Sequence, residues 1–90
     1  AEIVDAVGDK IDVICEGGFQ RGTHMLKALS IGAKACSGGR LYLYALAAAG
    51  QAGVERALGQ YKTELERDMK LMGCTKISEL NRNNLRFRNI

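Results

Sequence analysis

Two stretches of the chain carry residue types that could hold an anion. The first is Val13-Ile14-Cys15-Glu16-Gly17-Gly18-Phe19-Gln20-Arg21-Gly22-Thr23; the second is Ala35-Cys36-Ser37-Gly38-Gly39-Arg40-Leu41. Each reads as a buried strand, a glycine turn and the start of a helix. Glycine lets backbone N–H groups come close to a ligand and adopt dihedrals that other residues avoid. Arginine adds a fork of charged donors that matches phosphate oxygens. Gly17 and Gly18 with Arg21, and Gly39 with Arg40, therefore read as two halves of a phosphate cradle. Either half alone serves equally well as a tight strand-to-helix turn. Their recurrence one helix apart favours the binding role.

Little else in the chain offers chemistry. Cys15, Cys36 and Cys74 are odd in number and lack metal-ligand spacing. They read as buried, reduced thiols of an intracellular, cytoplasmic protein. The single histidine, His24, precedes Met25-Leu26 and is expected at the surface or at a helix cap. A general base must lie within hydrogen-bond reach of its substrate, and no residue here is a candidate. No catalytic residue and no metal ligand is assigned.

The composition is globular, with 47% hydrophobic and 26% charged residues among 90. That length makes one small domain or part of a larger one. A net charge of +3 and 6% aromatics do not describe a nucleic-acid surface. The basic tail with Arg82, Arg86 and Arg88 has little aromatic surface between its charges. No apolar run approaches the length of a transmembrane helix, and the N-terminus has no signal-peptide pattern.

The elements that must position the glycine turns follow in chain order. Residues 1–8 look like the last turns of a helix, with Ile3, Val4 and Val7 on one face and Gly8 as a left-handed stop. Residues 11–15 form an apolar run suited to a strand covered on both faces. Thr23 is the expected N-cap of the next helix, whose buried stripe is Met25, Leu26 and Leu29 and whose stop is Gly32. Residues 35–37 are a second short strand. A helix over 41–49 ends at Gly50. A longer one over 52–72 carries the stripe Val54, Leu58, Tyr61, Leu65 and Met69, turns Lys62, Glu66, Arg67 and Lys70 to water, and ends at Gly73. Thr75 opens a turn held by Ile77 and Leu80, and the segment 74–90 is a polar, basic tail.

Strands and helices that alternate with short loops make βα units of a parallel sheet. Two such strands cannot close a core alone. A (β/α)8 barrel takes about 250 residues, or about 30 per unit. The expected fold is therefore α/β: the last two βα units of a (β/α)8 TIM barrel over residues 11–50, followed by C-terminal helices. Another chain or a missing N-terminal part would complete it. In such barrels a phosphate site commonly lies in the loops after the last two strands.

The sequence E-G-G-F-Q-R-G-T-H-M-L-K-A-L-S-I-G-A-K-A-C-S-G-G-R-L, from Glu16 to Leu41, resembles a segment of the FMN-dependent α-hydroxy-acid oxidoreductases. That family includes glycolate oxidase and the lactate and mandelate dehydrogenases, and its segment reads D-G-G-x-R-R-G-T-D-V-x-K-A-L-A-L-G-A-K-A-V-x-I-G-R-P. The likeness continues through Tyr44-Ala45-Leu46, Gly50, Gly53-Val54, Glu64 and Met69 to Leu71, Gly73-Cys74 and Leu80. It covers nearly the whole chain.

The resemblance implies a TIM barrel that binds FMN, with the FMN phosphate on the loops after the seventh and eighth strands. By position, Glu16 stands where the family has Asp, and Gly17 and Gly18 are kept. Gln20 replaces the phosphate-binding Arg, Arg21 is retained, and Gly39 and Arg40 match the second phosphate contact. His24 replaces an Asp and Leu41 a Pro. The family's H-G-G-R motif, with its general-base His and its Arg for the substrate carboxylate, has no counterpart in this chain.

The implied function is the FMN-phosphate-binding part of a 2-hydroxy-acid oxidase or dehydrogenase, with a small 2-hydroxy acid as substrate. The remaining barrel polypeptide would be its partner, in a hetero- or homo-oligomer. The alternative is a degenerate, non-catalytic structural subunit whose helices form an assembly surface.

Overall fold

The computed structural model describes residues 1–88, so Asn89 and Ile90 of the expected tail lie outside the described residues. The order of elements is α1 (Glu2–Val7), β1 (Ile14–Glu16), α2 (Gly22–Ile31), β2 (Ala35–Ser37) and α3 (Arg40–Leu71). Two single turns of 3-10 helix follow, Ile77–Glu79 and Arg82–Asn84. The strands pair in parallel, with Ile14 opposite Ala35, Cys15 opposite Cys36 and Glu16 opposite Ser37. Helix α2 is the crossover between them, as a parallel pair requires.

β1 is shorter than the apolar run 11–15 and sits further along. Ile11 is still held by the turn after α1, where its N–H donates to the Val7 carbonyl at 3.0 Å. β2 offers only three residues for pairing. α1 does not end in a left-handed glycine: Gly8 has φ −64° and stays right-handed. The other expected stops are left-handed, with φ of 123° at Gly32 and 72° at Gly73.

α3 is two helical segments joined at a kink, where Ala49 and Gly50 leave helical dihedrals and Gly50 takes φ 59°. A positive φ suits glycine alone among residues without strain, which is why the break falls there. The second segment packs along α2. Leu65 and Met69 of the expected stripe pack there, whereas Leu58 is 52% exposed because the ten-residue α2 does not reach it. Lys62, Glu66, Arg67 and Lys70 face water as the pattern required.

Two apolar clusters hold these elements. Phe19, Ala28 and Ala33 pack with Cys15, Met25, Cys36 and Leu41 between the sheet and α2. Leu26, Met69 and Leu80 pack with Leu29, Leu65 and Cys74 between α2 and the end of α3. Among the described residues no large side chain is less than 2% exposed. Ile14 on the strand face away from α2 is 64% exposed, and Ile11, Leu43 and Leu46 are each at least half exposed. A parallel sheet is stable with both faces covered, and here one is bare. The purified 90-residue chain is therefore expected to show no sharp, cooperative thermal transition as a monomer. Calorimetry on the monodisperse chain checks this, and a single sharp endotherm would refute it.

Candidate phosphate-binding site

The C-terminal ends of β1 and β2 open into one cleft of about 860 Å³. One wall is the loop Glu16, Gly17, Gly18, Phe19 and Gln20; the other is Gly38, Gly39, Arg40 and Leu41, with Tyr44 and Tyr61 beside them. The two turns singled out in the sequence thus come together because their strands are hydrogen-bonded neighbours.

In the first wall, Gly17 and Gly18 take φ of 109° and 70°. A Cβ built on either would meet nothing within 4 Å, so these glycines serve backbone geometry and leave open space where a side chain would stand. Phe19 is 8% exposed and roots the loop in the first apolar cluster. The Gln20 N–H donates to Nδ1 of His24 at 3.2 Å. His24 therefore closes the loop onto α2, a capping role.

The second wall is the start of α3. Gly39 is its N-cap residue and makes no side-chain cap, and a Cβ there would also meet nothing within 4 Å. The first N–H groups of a helix have no intrahelical acceptor and carry its positive dipole end. Among the described residues no backbone acceptor partners the N–H of Gly39, Arg40 or Leu41. Arg40 lies in the first turn, and Tyr44 follows four residues on, so both face the cleft from one side of the helix.

Arg21 is not among the cleft residues. Its Nε donates to Glu64 Oε2 at 2.8 Å, which directs the guanidinium to α3. The same oxygen accepts the Gly22 N–H at 3.3 Å, and Oε1 accepts Gln60 Nε2 at 3.4 Å. Glu64 is 4% exposed. This bond explains why Thr23 is not the N-cap. The cap residue is Arg21, with no side-chain cap of its own, and a carboxylate from another helix takes the first N–H instead. The Thr23 hydroxyl is free to donate to Asp68.

These contacts set the charge state of the two acids. The hydrogen bond from Arg21 holds the Glu64 carboxyl below the usual range against the opposing effect of burial, with the Gly22 N–H adding to it. The bond from Thr23 does the same for Asp68, helped by Arg67. Arg21 is pushed up in turn by its bond to Glu64. A carboxyl whose folded pKa is depressed contributes stability above its unfolded value and loses it as pH falls through the folded value. With ordinary values of 4.5 for Glu64 and 3.8 for Asp68, the stability of the complete protein should be insensitive to these groups near neutrality. It should fall below about pH 4.5. Denaturant midpoints measured against pH check this, and the fall should be shallower in Glu64→Gln.

Residues 1–87 match the family model for FMN-dependent dehydrogenase. The chain belongs to the FMN-dependent dehydrogenase family. It is 43% identical over 88 residues to a peroxisomal (S)-2-hydroxyacid oxidase of Arabidopsis thaliana, covering 98% of this chain and 24% of that protein. It is 47% identical over 72 residues to L-lactate dehydrogenase (cytochrome) of Saccharomyces cerevisiae, covering 80% of this chain and 12% of that one. Among solved structures, a soluble mutant of the (S)-mandelate dehydrogenase of Pseudomonas putida superposes with a TM-score of 0.90 at 36% identity. That match covers 97% of this chain and 24% of the other. The chain thus spans about a quarter of the oxidase and of the mandelate dehydrogenase. Structural neighbours in this FMN-dependent family are TIM-barrel enzymes, in accord with the α/β barrel segment expected from the strand–helix alternation.

Sequence reasoning did not single out Phe19, Tyr44, Tyr61 or Glu64 as part of this region. Two signals were present. Phe19 is an aromatic inside an otherwise polar glycine loop, and Tyr44 lies one helical turn from Arg40.

Proposed function

We propose that this chain is the FMN-phosphate-binding end of a 2-hydroxy-acid oxidase or dehydrogenase barrel, and that the catalytic residues lie outside it. Residues 11–50 are then its last two βα units, residues 52–73 its long C-terminal helix and residues 74–90 its tail. One observation carries the reading: two glycine turns with open space at their Cβ positions and the free start of α3 line the same cleft. The residues present fit a phosphate. Gly18 and Gly39 supply N–H donors, Arg40 supplies charge, Gly17 allows the turn, and Gln20 adds a polar contact. Glu16 repels an anion and accepts hydrogen bonds only, so it belongs beside the neutral, hydroxyl-bearing part of the ligand. Arg21 contributes from behind the loop, through Glu64. FMN, when bound, would accept a hydride from Cα of the 2-hydroxy acid and leave the 2-oxo acid. The chain anchors and orients it, as proteins do for cofactors that carry the chemistry themselves.

The remaining barrel polypeptide is the partner this reading needs. It would cover the bare face at Ile14 and bring the general base, since Nδ1 of His24 is taken by the Gln20 N–H. Among the described residues no helix is long and apolar enough to cross a membrane. A cytoplasmic site of action accords with three free cysteines, although the relatives include a peroxisomal enzyme.

The complete protein should be isolated with flavin, and its apoprotein should bind FMN far more tightly than riboflavin, which lacks the phosphate. Equal affinity for the two would overturn the reading. A second reading, the non-catalytic structural subunit, is favoured by a specific observation: Gln20 is neutral and Arg21 is spent on Glu64, so among the described residues Arg40 is the only cation lining the cleft. A colourless assembly that takes up no FMN would support it.

A further inference from the structure

We infer that Glu64 is a positioning residue for the cofactor phosphate, acting through the loop it grips rather than by contact with the ligand. The inference rests on the phosphate reading above and extends it to the far side of α3.

The two walls of the cleft have different supports. Gly39 and Arg40 are fixed by being the start of α3. The loop from Gly17 to Arg21 has no regular structure, and its two glycines take φ values that leave it many conformations once freed. Its near end is rooted by Phe19. Its far end runs into α2, where His24 Nδ1 accepts the Gln20 N–H at 3.2 Å, and one carboxylate ties it to α3: Glu64 Oε2 takes both Arg21 Nε, at 2.8 Å, and the Gly22 N–H, at 3.3 Å. Gln60, one turn earlier on α3, steadies the other carboxylate oxygen at 3.4 Å. The acid is nearly sealed from water, whereas the Arg21 side chain remains 59% exposed.

The kink at Ala49 and Gly50 gives this grip its consequence. The segment of α3 that carries Arg40 and the segment that carries Glu64 are joined at non-helical residues. The helix alone therefore does not fix the width of the cleft. Glu64 ties the loop to the second segment directly, and the loop brings Gly18 and Gln20 to face Gly39 and Arg40. The same bond keeps the Arg21 guanidinium out of the cleft. Removing the carboxylate should loosen one wall of the cradle and leave the isoalloxazine end of the site untouched.

Flavin affinity separates this role from a purely structural one. The apoprotein of the complete enzyme would be titrated with FMN and with riboflavin, for the wild type, Glu64→Ala, Glu64→Gln and Arg40→Ala. The expected result is an FMN affinity about fivefold or more weaker in both Glu64 variants, with riboflavin affinity within about twofold of wild type, on the scale of one lost charge-assisted contact. Glu64→Gln preserves shape and can still accept from Gly22, so it keeps the test alive if Glu64→Ala does not fold. A parallel loss of both affinities would mean Glu64 only stabilises the fold. An unchanged ratio, or tighter FMN binding through a released Arg21, would also overturn the inference. If Arg40→Ala lowers the FMN-to-riboflavin ratio while the Glu64 variants do not, the positioning role fails and the phosphate reading stands. If none of the variants moves the ratio, the phosphate reading fails and the positioning role with it.

Discussion

Arg40→Ala is expected to weaken FMN retention by the complete protein about ten- to a hundredfold, a larger loss than that caused by Arg21→Ala. A hydrogen bond to a charged group contributes about 1.5–3 kcal/mol, and each 1.4 kcal/mol is about tenfold in affinity. Both arginines flank glycine turns, and the family resemblance already sets Arg40, not Arg21, at a phosphate contact. Their partners point the same way. Arg21 is engaged by Glu64, whereas among the described residues Arg40 forms no ion pair and lines the cleft. Its guanidinium therefore meets a phosphate without first breaking a protein contact. Arg21→Ala removes one of the two donors to Glu64 Oε2 but leaves the Gly22 N–H in place, so its effect on the cradle is indirect and smaller. Arg40→Lys should fall between wild type and Arg40→Ala, because an ammonium keeps the charge and loses the planar fork. Equilibrium dialysis of the holoprotein, read by flavin absorbance, measures all three. Equal retention in Arg40→Ala and Arg21→Ala would show that the wrong residue bears the charge.

The parts of this molecule that were legible in the sequence are those decided by local backbone chemistry. Gly32, Gly50 and Gly73 stop or kink helices where only glycine tolerates the dihedral, and β2 occupies three of the five residues between the glycine stop at Gly32 and the glycine turn at Gly38. Gly17, Gly18, Gly39 and Arg40 line the cleft because parallel strands linked by one helix put their C-terminal ends side by side. What was not legible is what a distant residue decides. Thr23 has the chemistry of an N-cap, but Glu64 arrives from 42 positions away and takes the Gly22 N–H, so the hydroxyl goes to Asp68. Leu58 fits the apolar spacing of α3, yet α2 is too short to cover it. Glu64 sits between Tyr61 and Leu65 of that stripe, where a charged side chain reads as solvent-facing, and only the approach of α2 buries it. Periodicity marks the face a helix would bury; the length of its neighbour decides how much of that face is used.

The approach that buries Glu64 makes a further prediction, in which two glycines of ordinary φ respond to the same change with opposite signs. A Cβ built on Gly22 would stand 2.6 Å from Glu64 Cβ, from the Leu65 nitrogen and from the Tyr61 carbonyl oxygen. Two of these three atoms are backbone of α3 and cannot swing aside. Gly22→Ala should therefore destabilise the complete protein. Overpacking costs about 1–3 kcal/mol, and here it also parts Glu64 from the Gly22 N–H and the loop. Alanine in place of glycine in a helix gains at most about 1 kcal/mol of propensity, and less at the first helical position, so the clash wins. Gly59, within α3, has nothing within 4 Å of a built Cβ and is exposed. Gly59→Ala should keep the propensity gain and stabilise by about 0.5–1 kcal/mol. Denaturant unfolding of the two variants gives the signs directly. Gly22→Ala should also lower the FMN-to-riboflavin affinity ratio, because it moves the end of α2 that the cradle loop enters, whereas Gly59→Ala should leave that ratio at the wild-type value. If Gly22→Ala is as stable as wild type, α2 and α3 do not meet as closely as Gly22 permits, and the grip of Glu64 on the loop is lost with that contact.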